Sequence, residues 1–296
     1  MRALSRAAFT RTVVCGALAL GLLGSLLSAG PAAAAVPDLV RISASTATDS
    51  LDTKSVTATC PAGSPALLSA GYKLDGGLGD VVIDDFQLQA GSVTVVAYEA
   101  DPDYVPTWTL TAYAVCADPP PDLALITVGA TFESPDFATL TLTCAAGDVL
   151  LSGGFVITSA TGEVEVDDVR PNGSTLTAPT ALYASAYEAD AYGFDWQLTT
   201  YGVCADPLPG LVRRSASTDD VPLDFKTVTA SCLAGEVLVG SGYELVGGAT
   251  GEVVVDDVEV NGNASTTPTS VAVDAYREDG YTGEWQLVAY AVCADA

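Results

Sequence analysis

One phrase is written three times in this chain: WTLTAYAVCAD at 108–118, WQLTTYGVCAD at 196–206 and WQLVAYAVCAD at 285–295. All three tryptophans stand in it, each eight residues before a cysteine. A chain that repeats one core strand repeats the core around it, so the fold must be assembled from three copies of one unit. Laid against itself, the sequence gives copies opening near Leu39, Leu123 and Leu211, about 85 residues apart. The openings LVRISAST and LVRRSAST match closely, whereas LALITVGA in the middle copy has drifted. Next come SVTATCPAG, TLTLTCAAG and TVTASCLAG, then SAGYKL, SGGFVI and GSGYEL. VVIDDF, VEVDDV and VVVDDV follow, then AYEAD, AYEAD and AYRED before the tryptophan strand. The joints CADPPPD and CADPLPG are Pro-rich, short and semi-rigid, and divide the chain into 36–119, 120–207 and 208–296.

Within each copy, short runs rich in Val, Thr, Tyr and Leu alternate with Gly, Pro, Asp and Ser clusters, and no stretch has a helical period. This predicts about six strands per copy. In the tryptophan strand, period two puts Trp108, Leu110, Ala112, Ala114 and Cys116 on one face and Thr109, Thr111, Tyr113 and Val115 on the other. The first face is large at one end and small beside the cysteine, as a strand facing a second sheet requires. An immunoglobulin domain carries its buried tryptophan on a different strand from this one, so that fold is not expected. The expected fold is all-β: three tandem, disulfide-stapled, antiparallel β-sandwich-like repeats. A single β body with pseudo-threefold symmetry is the alternative, and joint length does not choose between them.

Residues 1–35 read as a removable leader, with Arg2, Arg6 and Arg11 ahead of VVCGALALGLLGSLL and a small-residue site at PAAAA. Cys15 belongs to that leader. Six cysteines then remain: Cys60, Cys116, Cys144, Cys204, Cys232 and Cys293. An even count in an exported protein implies disulfides, and the repeat makes 60–116, 144–204 and 232–293 the self-consistent set. Each loop closure is worth about 4 kcal/mol in the chain-entropy model. No anchor is expected in the mature chain, which is expected to be secreted and extracellular. It carries 8 basic residues against 37 acidic, a net of −29, so nucleic acid and anionic lipid are poor partners. An extracellular glycan or surface protein fits that charge better.

The C-x-A-G, G-Y/F and W-x-L-x-x-Y-x-V-C-A phrases resemble a module found in tandem in exported bacterial proteins, especially actinobacterial ones. The resemblance covers residues 36–296 and implies a secreted β-repeat protein. It brings no activity and no catalytic residue with it.

Two sets of residues are candidates for chemistry. The first is the aspartate pairs Asp84-Asp85, Asp167-Asp168 and Asp256-Asp257. In VEVDDV the alternation turns Val164 and Val166 inward and Glu163, Glu165 and Asp167 outward, which would drive Asp168 into the core. The strand is therefore expected to bulge or end at the pair and return Val169 inward. The carboxylates would then accept backbone N–H groups at the bend or, as a functional reading, supply oxygen ligands to Ca²⁺. The second set is the loops before each tryptophan, which combine Tyr104 with Asp101 and Asp103, Tyr192 with Asp190 and Asp195, and Tyr281 with Asp279 and Glu284. Tyrosine faces beside carboxylates suit sugar rings; they are also ordinary ingredients of a polar hairpin. Asn172-Gly173-Ser174 and Asn263-Ala264-Ser265 match the glycosylation pattern, which is uninformative behind a bacterial leader.

Absence of histidine excludes Ser-His-Asp and Cys-His nucleophiles and His-ligated zinc. A glycan-cleaving enzyme needs only two carboxylates, but adjacent strand residues point to opposite faces, and every conspicuous motif occurs three times where an active site is ordinarily unique. The function expected is that of a non-enzymatic, secreted structural or interaction protein, with a carbohydrate-binding protein as the alternative.

Overall fold

The computed structural model describes residues 36–296 except 78, 101–105, 133–136, 161, 189–191, 248–250 and 278–280. The leader reading therefore lies outside the described residues. Copy one supplies β1 (Val40–Ser45), β2 (Thr53–Thr59), β3 (Ala66–Asp75), β4 (Val81–Gln89), β5 (Ser92–Glu99) and β6 (Thr109–Ala117). Copy two supplies β7 (Ala124–Phe132), β8 (Phe137–Thr143), β9 (Val149–Thr158), β10 (Val164–Pro171), β11 (Ala181–Glu188) and β12 (Trp196–Ala205). Copy three supplies β13 (Val212–Ser217), β14 (Phe225–Ser231), β15 (Glu236–Gly247), β16 (Val253–Val260), β17 (Ser270–Arg277) and β18 (Trp285–Asp295). No helix among the described residues is long and apolar enough to cross a membrane.

The strands form three six-stranded antiparallel sheets: β1-β6-β3-β16-β17-β14 (sheet I), β2-β5-β4-β9-β12-β7 (sheet II) and β13-β18-β15-β10-β11-β8 (sheet III). Each sheet takes three strands from one copy and three from another. The sandwich expectation holds within a copy, where two three-stranded halves face each other. The joining of copies follows the closed-body alternative: β4 pairs with β9, β10 with β15, and β16 with β3, so the third copy returns to the first. The three disulfides form as the repeat implies, Cys60–Cys116, Cys144–Cys204 and Cys232–Cys293. Each crosses between the two halves of its copy, so every pair of sheets is stapled once.

The seams explain the G-Y/F phrase. A Cβ on Gly71 would lie 2.1 Å from the Val258 carbonyl oxygen, on Gly154 2.3 Å from that of Phe86, and on Gly242 2.3 Å from that of Val169. Each glycine thus lets a strand of the next copy approach. The aromatic residue that follows it, Tyr72, Phe155 or Tyr243, is fully buried where the copies meet. Tyr72 stacks edge-on against Phe86, which does the same against Phe155. The Tyr243 hydroxyl donates to the Val166 carbonyl at 3.0 Å, which gives a buried polar group its partner. Deeper still, Ser69 Oγ lies 3.2 Å from Ser152 Oγ and 3.3 Å from Ser241 Oγ, one serine from each copy.

On the outer face two of the three seams carry a charged cross-strand pair, and the β4/β9 seam has Gln87 and Val156 in those places. Lys73 meets Glu259 at 3.0 Å, and Arg170 meets Glu244 at 2.6 Å with the charges reversed. Beside them, Arg41 donates to the Gly262 carbonyl and Arg213 to that of Pro171, both at 2.7 Å. Copy two has Leu125 in that place, and the loop its arginine would reach is missing, because copy one joins β4 to β5 by a tight turn at Ala90-Gly91.

The tryptophans are fully buried, and the alternation along their strand is as expected. Tyr113 and Val115 on the opposite face are buried as well, and Arg41 covers Tyr113 at 4.5 Å from the ring centroid. Indole N–H groups donate to Glu99, to Glu188 and to the Leu223 carbonyl, which explains the glutamate of A-Y-E in the first two copies. Lys54 lies 4.3 Å over the Trp108 ring, 4% exposed, and donates to the carbonyls of Ala47, Asp49 and Trp108. Lys226 repeats this under Trp285. Copy two has Ala138 there instead, and Phe132 packs against Trp196 at 5.3 Å. Replacing Lys54 by Ala removes the cation and strands three carbonyls, so urea denaturation should show a loss of about 2–3 kcal/mol. A loss below about 0.5 kcal/mol would mean that the ammonium is dispensable.

Candidate functional site: the aspartate pairs at the seams

The strand does bulge at each pair. Register shifts fall between Ile83 and Asp85, between Val166 and Asp168, and between Val255 and Asp257, so Asp84, Asp167 and Asp256 are the extra residues. Val169 returns to the core as expected. The outward placement of Glu165 and Asp167 is corrected: they are 4% and 1% exposed. β10 is not a solvent-backed strand but the inner strand of a seam, and the bulge turns Asp167 into the joint.

The backbone donors that meet these carboxylates come from another copy, not from the bend itself. Asp256 accepts the Gly79 N–H at 3.3 Å and Asp257 the Leu74 N–H at 2.8 Å. The Gly162 amide faces Asp84, the Gly251 amide faces Asp167, and the Leu245 amide faces Asp168. These are equivalent turns and strands of the next copy each time. The main-chain ladder across a seam spans only one or two residue pairs, and the carboxyls extend it with side-chain acceptors.

Burial sets the charge state. Removal from water, with Asp85 adjoining, pushes Asp84 up to about 7, and burial alone pushes Asp85 up to about 6. Asp168 rises to about 6 and Asp257 to about 7 for the same first reason. Asp167 and Asp256 are held well above the usual carboxylate range by burial and by the second aspartate of each pair. No cation lowers Asp84, Asp167 or Asp256; Arg170 and Lys73 oppose the rise only at Asp168 and Asp257. Oδ1 of Asp84, Asp167 and Asp256 is buried without a hydrogen-bond partner, a placement that costs an ionised carboxylate more than a neutral acid.

Sequence reasoning missed the third members of these clusters. Ser185 donates to Asp168 at 2.6 Å, and Asp274 stands directly across the ladder from Asp257. Their counterpart beside Asp85 is Val96. Calcium takes six to eight oxygens, so an aspartate pair would need further carboxylates or carbonyls to complete a shell. The one group of three ligand types lying within 4.8 Å of one another among the described residues is Cys232, Glu236 and Cys293, whose sulfurs are bonded to each other.

Of the loop candidates, Asp101, Asp103, Tyr104, Asp190 and Asp279 lie outside the described residues. The Tyr192 hydroxyl donates to the Ser159 carbonyl and its ring meets Phe194 edge-on at 5.5 Å. Asp195 is exposed beside them. Tyr281 donates to the Glu284 carbonyl of its own loop at 3.3 Å. Asn172 and Asn261 each use Oδ1 to accept two backbone amides across their loops.

Comparison with protein-family models and with curated proteins finds no match for this chain.

Proposed function

We propose that the protein is a secreted, non-enzymatic structural or interaction protein of the cell exterior, built on the tandem module that its repeated phrases resemble. One observation carries this reading: the tryptophan, cysteine, Gly-aromatic and Asp-Asp phrases shared by all three copies are spent on core and seams. None of them is left facing solvent as a reactive constellation among the described residues. The disulfides require an oxidising compartment. Three related faces on one body suit attachment at several points, where weak contacts gain avidity.

The carbohydrate-binding alternative draws on the exposed Phe194, 71% accessible, beside Tyr192 and Asp195. Incubation with insoluble cell-wall and plant polysaccharides, in Ca²⁺ or in EDTA, tests both readings. The structural reading expects no saturable binding in either buffer. Saturable binding that disappears when Tyr104, Tyr192 and Tyr281 are replaced together by Ala would favour the lectin reading, and its loss in EDTA would add a metal.

A further inference from the structure

The three seams share one plan but not one set of contacts. Across the β3/β16 seam the buried Tyr72 hydroxyl donates to the Val255 carbonyl at 3.5 Å, and across β10/β15 the Tyr243 hydroxyl donates to Val166 at 3.0 Å. At β4/β9 the residue in that place is Phe155, which has no hydroxyl to give. Lys73–Glu259 and Arg170–Glu244 tie the other two seams, where β4/β9 has Gln87 and Val156. Gln87 donates to the Tyr201 hydroxyl at 3.2 Å, a bond without charge. The arginine strands widen the difference. Beside its side chain, Arg41 gives its backbone N–H to the Asn263 carbonyl at 3.3 Å, and Arg213 gives its own to Ser174 at 3.0 Å. Copy two has Leu125 in that place, and copy one closes β4 to β5 at Ala90-Gly91 with no loop to receive such a donor.

We propose that the closed body has one releasable joint: the β4/β9 seam opens while the other two seams and all three disulfides stay closed. Each missing contact is modest by itself, but all are missing from the same seam. The main-chain ladder is short everywhere, two residue pairs at β4/β9 and at β10/β15 and one at β16/β3, so side-chain contacts set the order of opening. The chain joint at 118–123 keeps the parted copies together, which makes the opening intramolecular and reversible. It bares Phe86 and Phe155, which meet edge-on at 6.1 Å, and admits water to Asp84 and Asp85. Such a sub-global opening takes less free energy than unfolding of the whole.

Amide hydrogen exchange on the intact, oxidised protein, resolved by residue with NMR and corrected for intrinsic rates, tests this. The amides that pair β4 with β9 are expected to exchange at least about tenfold faster than those that pair β10 with β15 or β16 with β3. Gln87→Arg together with Val156→Glu installs the ion pair of the β10/β15 seam. It should slow exchange at β4/β9 by about threefold or more and leave the other seams as they are. Arg170→Gln together with Glu244→Val makes the converse change and should speed exchange at β10/β15. Equal protection at all three seams overturns the proposal, as does earlier opening at another seam or a Gln87→Arg, Val156→Glu variant that exchanges like wild type.

Discussion

Replacing Gly154 by Ala is expected to cost about 3 kcal/mol or more, far beyond an ordinary glycine substitution. The added Cβ meets the Phe86 carbonyl oxygen at 2.3 Å, with Leu88 Cγ at 3.0 Å behind it. The obstacle is backbone of another copy, so no side-chain rotation relieves it; β4 and β9 must separate. Gly71 and Gly242 face Val258 and Val169 in the same way and should behave alike. Gly63→Ala is the control. Nothing lies within 4 Å of the new methyl group and its φ is not positive, so the change should be neutral or stabilising by a few tenths of a kcal/mol. Urea denaturation of the four variants decides the matter. If Gly154→Ala unfolds within about 0.5 kcal/mol of wild type, the seam is soft and the copies are nearly independent.

The second large effect is a stability that falls on going from mildly acidic to mildly alkaline solution. The seam aspartates have folded pKa values above the ordinary carboxylate value of about 3.9, so the folded state binds more protons than the unfolded state. Their contribution is fully present below that ordinary value and is lost as pH rises through about 6 for Asp85 and Asp168 and about 7 for Asp84 and Asp257. Unfolding free energy should therefore drop by about 3 kcal/mol or more between pH 5 and pH 8. Glu236, held low by Arg214, acts in the opposite sense and loses its contribution only as pH falls through its lowered value. Asp84→Asn, Asp167→Asn and Asp256→Asn together keep an acceptor for the facing amides without the charge. They should flatten the pH dependence and raise stability at pH 8. A wild-type profile that is flat or rises from pH 5 to pH 8 would show that these carboxyls ionise without penalty.

The extent to which all this was legible in the sequence follows from what a two-residue period encodes. It states which face of the chain a residue occupies, and on that basis the tryptophan strand and the bulge at Asp167-Asp168 were readable, while the disulfide set was readable from the threefold repeat. It does not state whose strand lies alongside. Gly71, Gly154 and Gly242, the donors to the aspartates and the pairing of Lys73 with Glu259 all depend on a neighbour from another copy, and a lone sequence names no neighbour. The aspartates were misplaced for the same reason: a strand with another copy packed behind it has no solvent side. Only the drift of LALITVGA hinted that the three seams differ.

Sharing every sheet between two copies makes a copy a unit of ancestry and not a unit of folding. A solitary ancestor would have ended in two raw edges, one of the β3 kind and one of the β4 kind, each complementary to the other on a sister molecule. Three free sisters satisfy those edges as a closed trimer, and fusing their genes changes the joints and little else. The present chain has since lost that interchangeability. A trimer of copy three alone would set Glu244 against Glu259 at all three joints, whereas the reversed polarity of two seams and the uncharged Gln87 and Val156 at the third make the copies unequal partners.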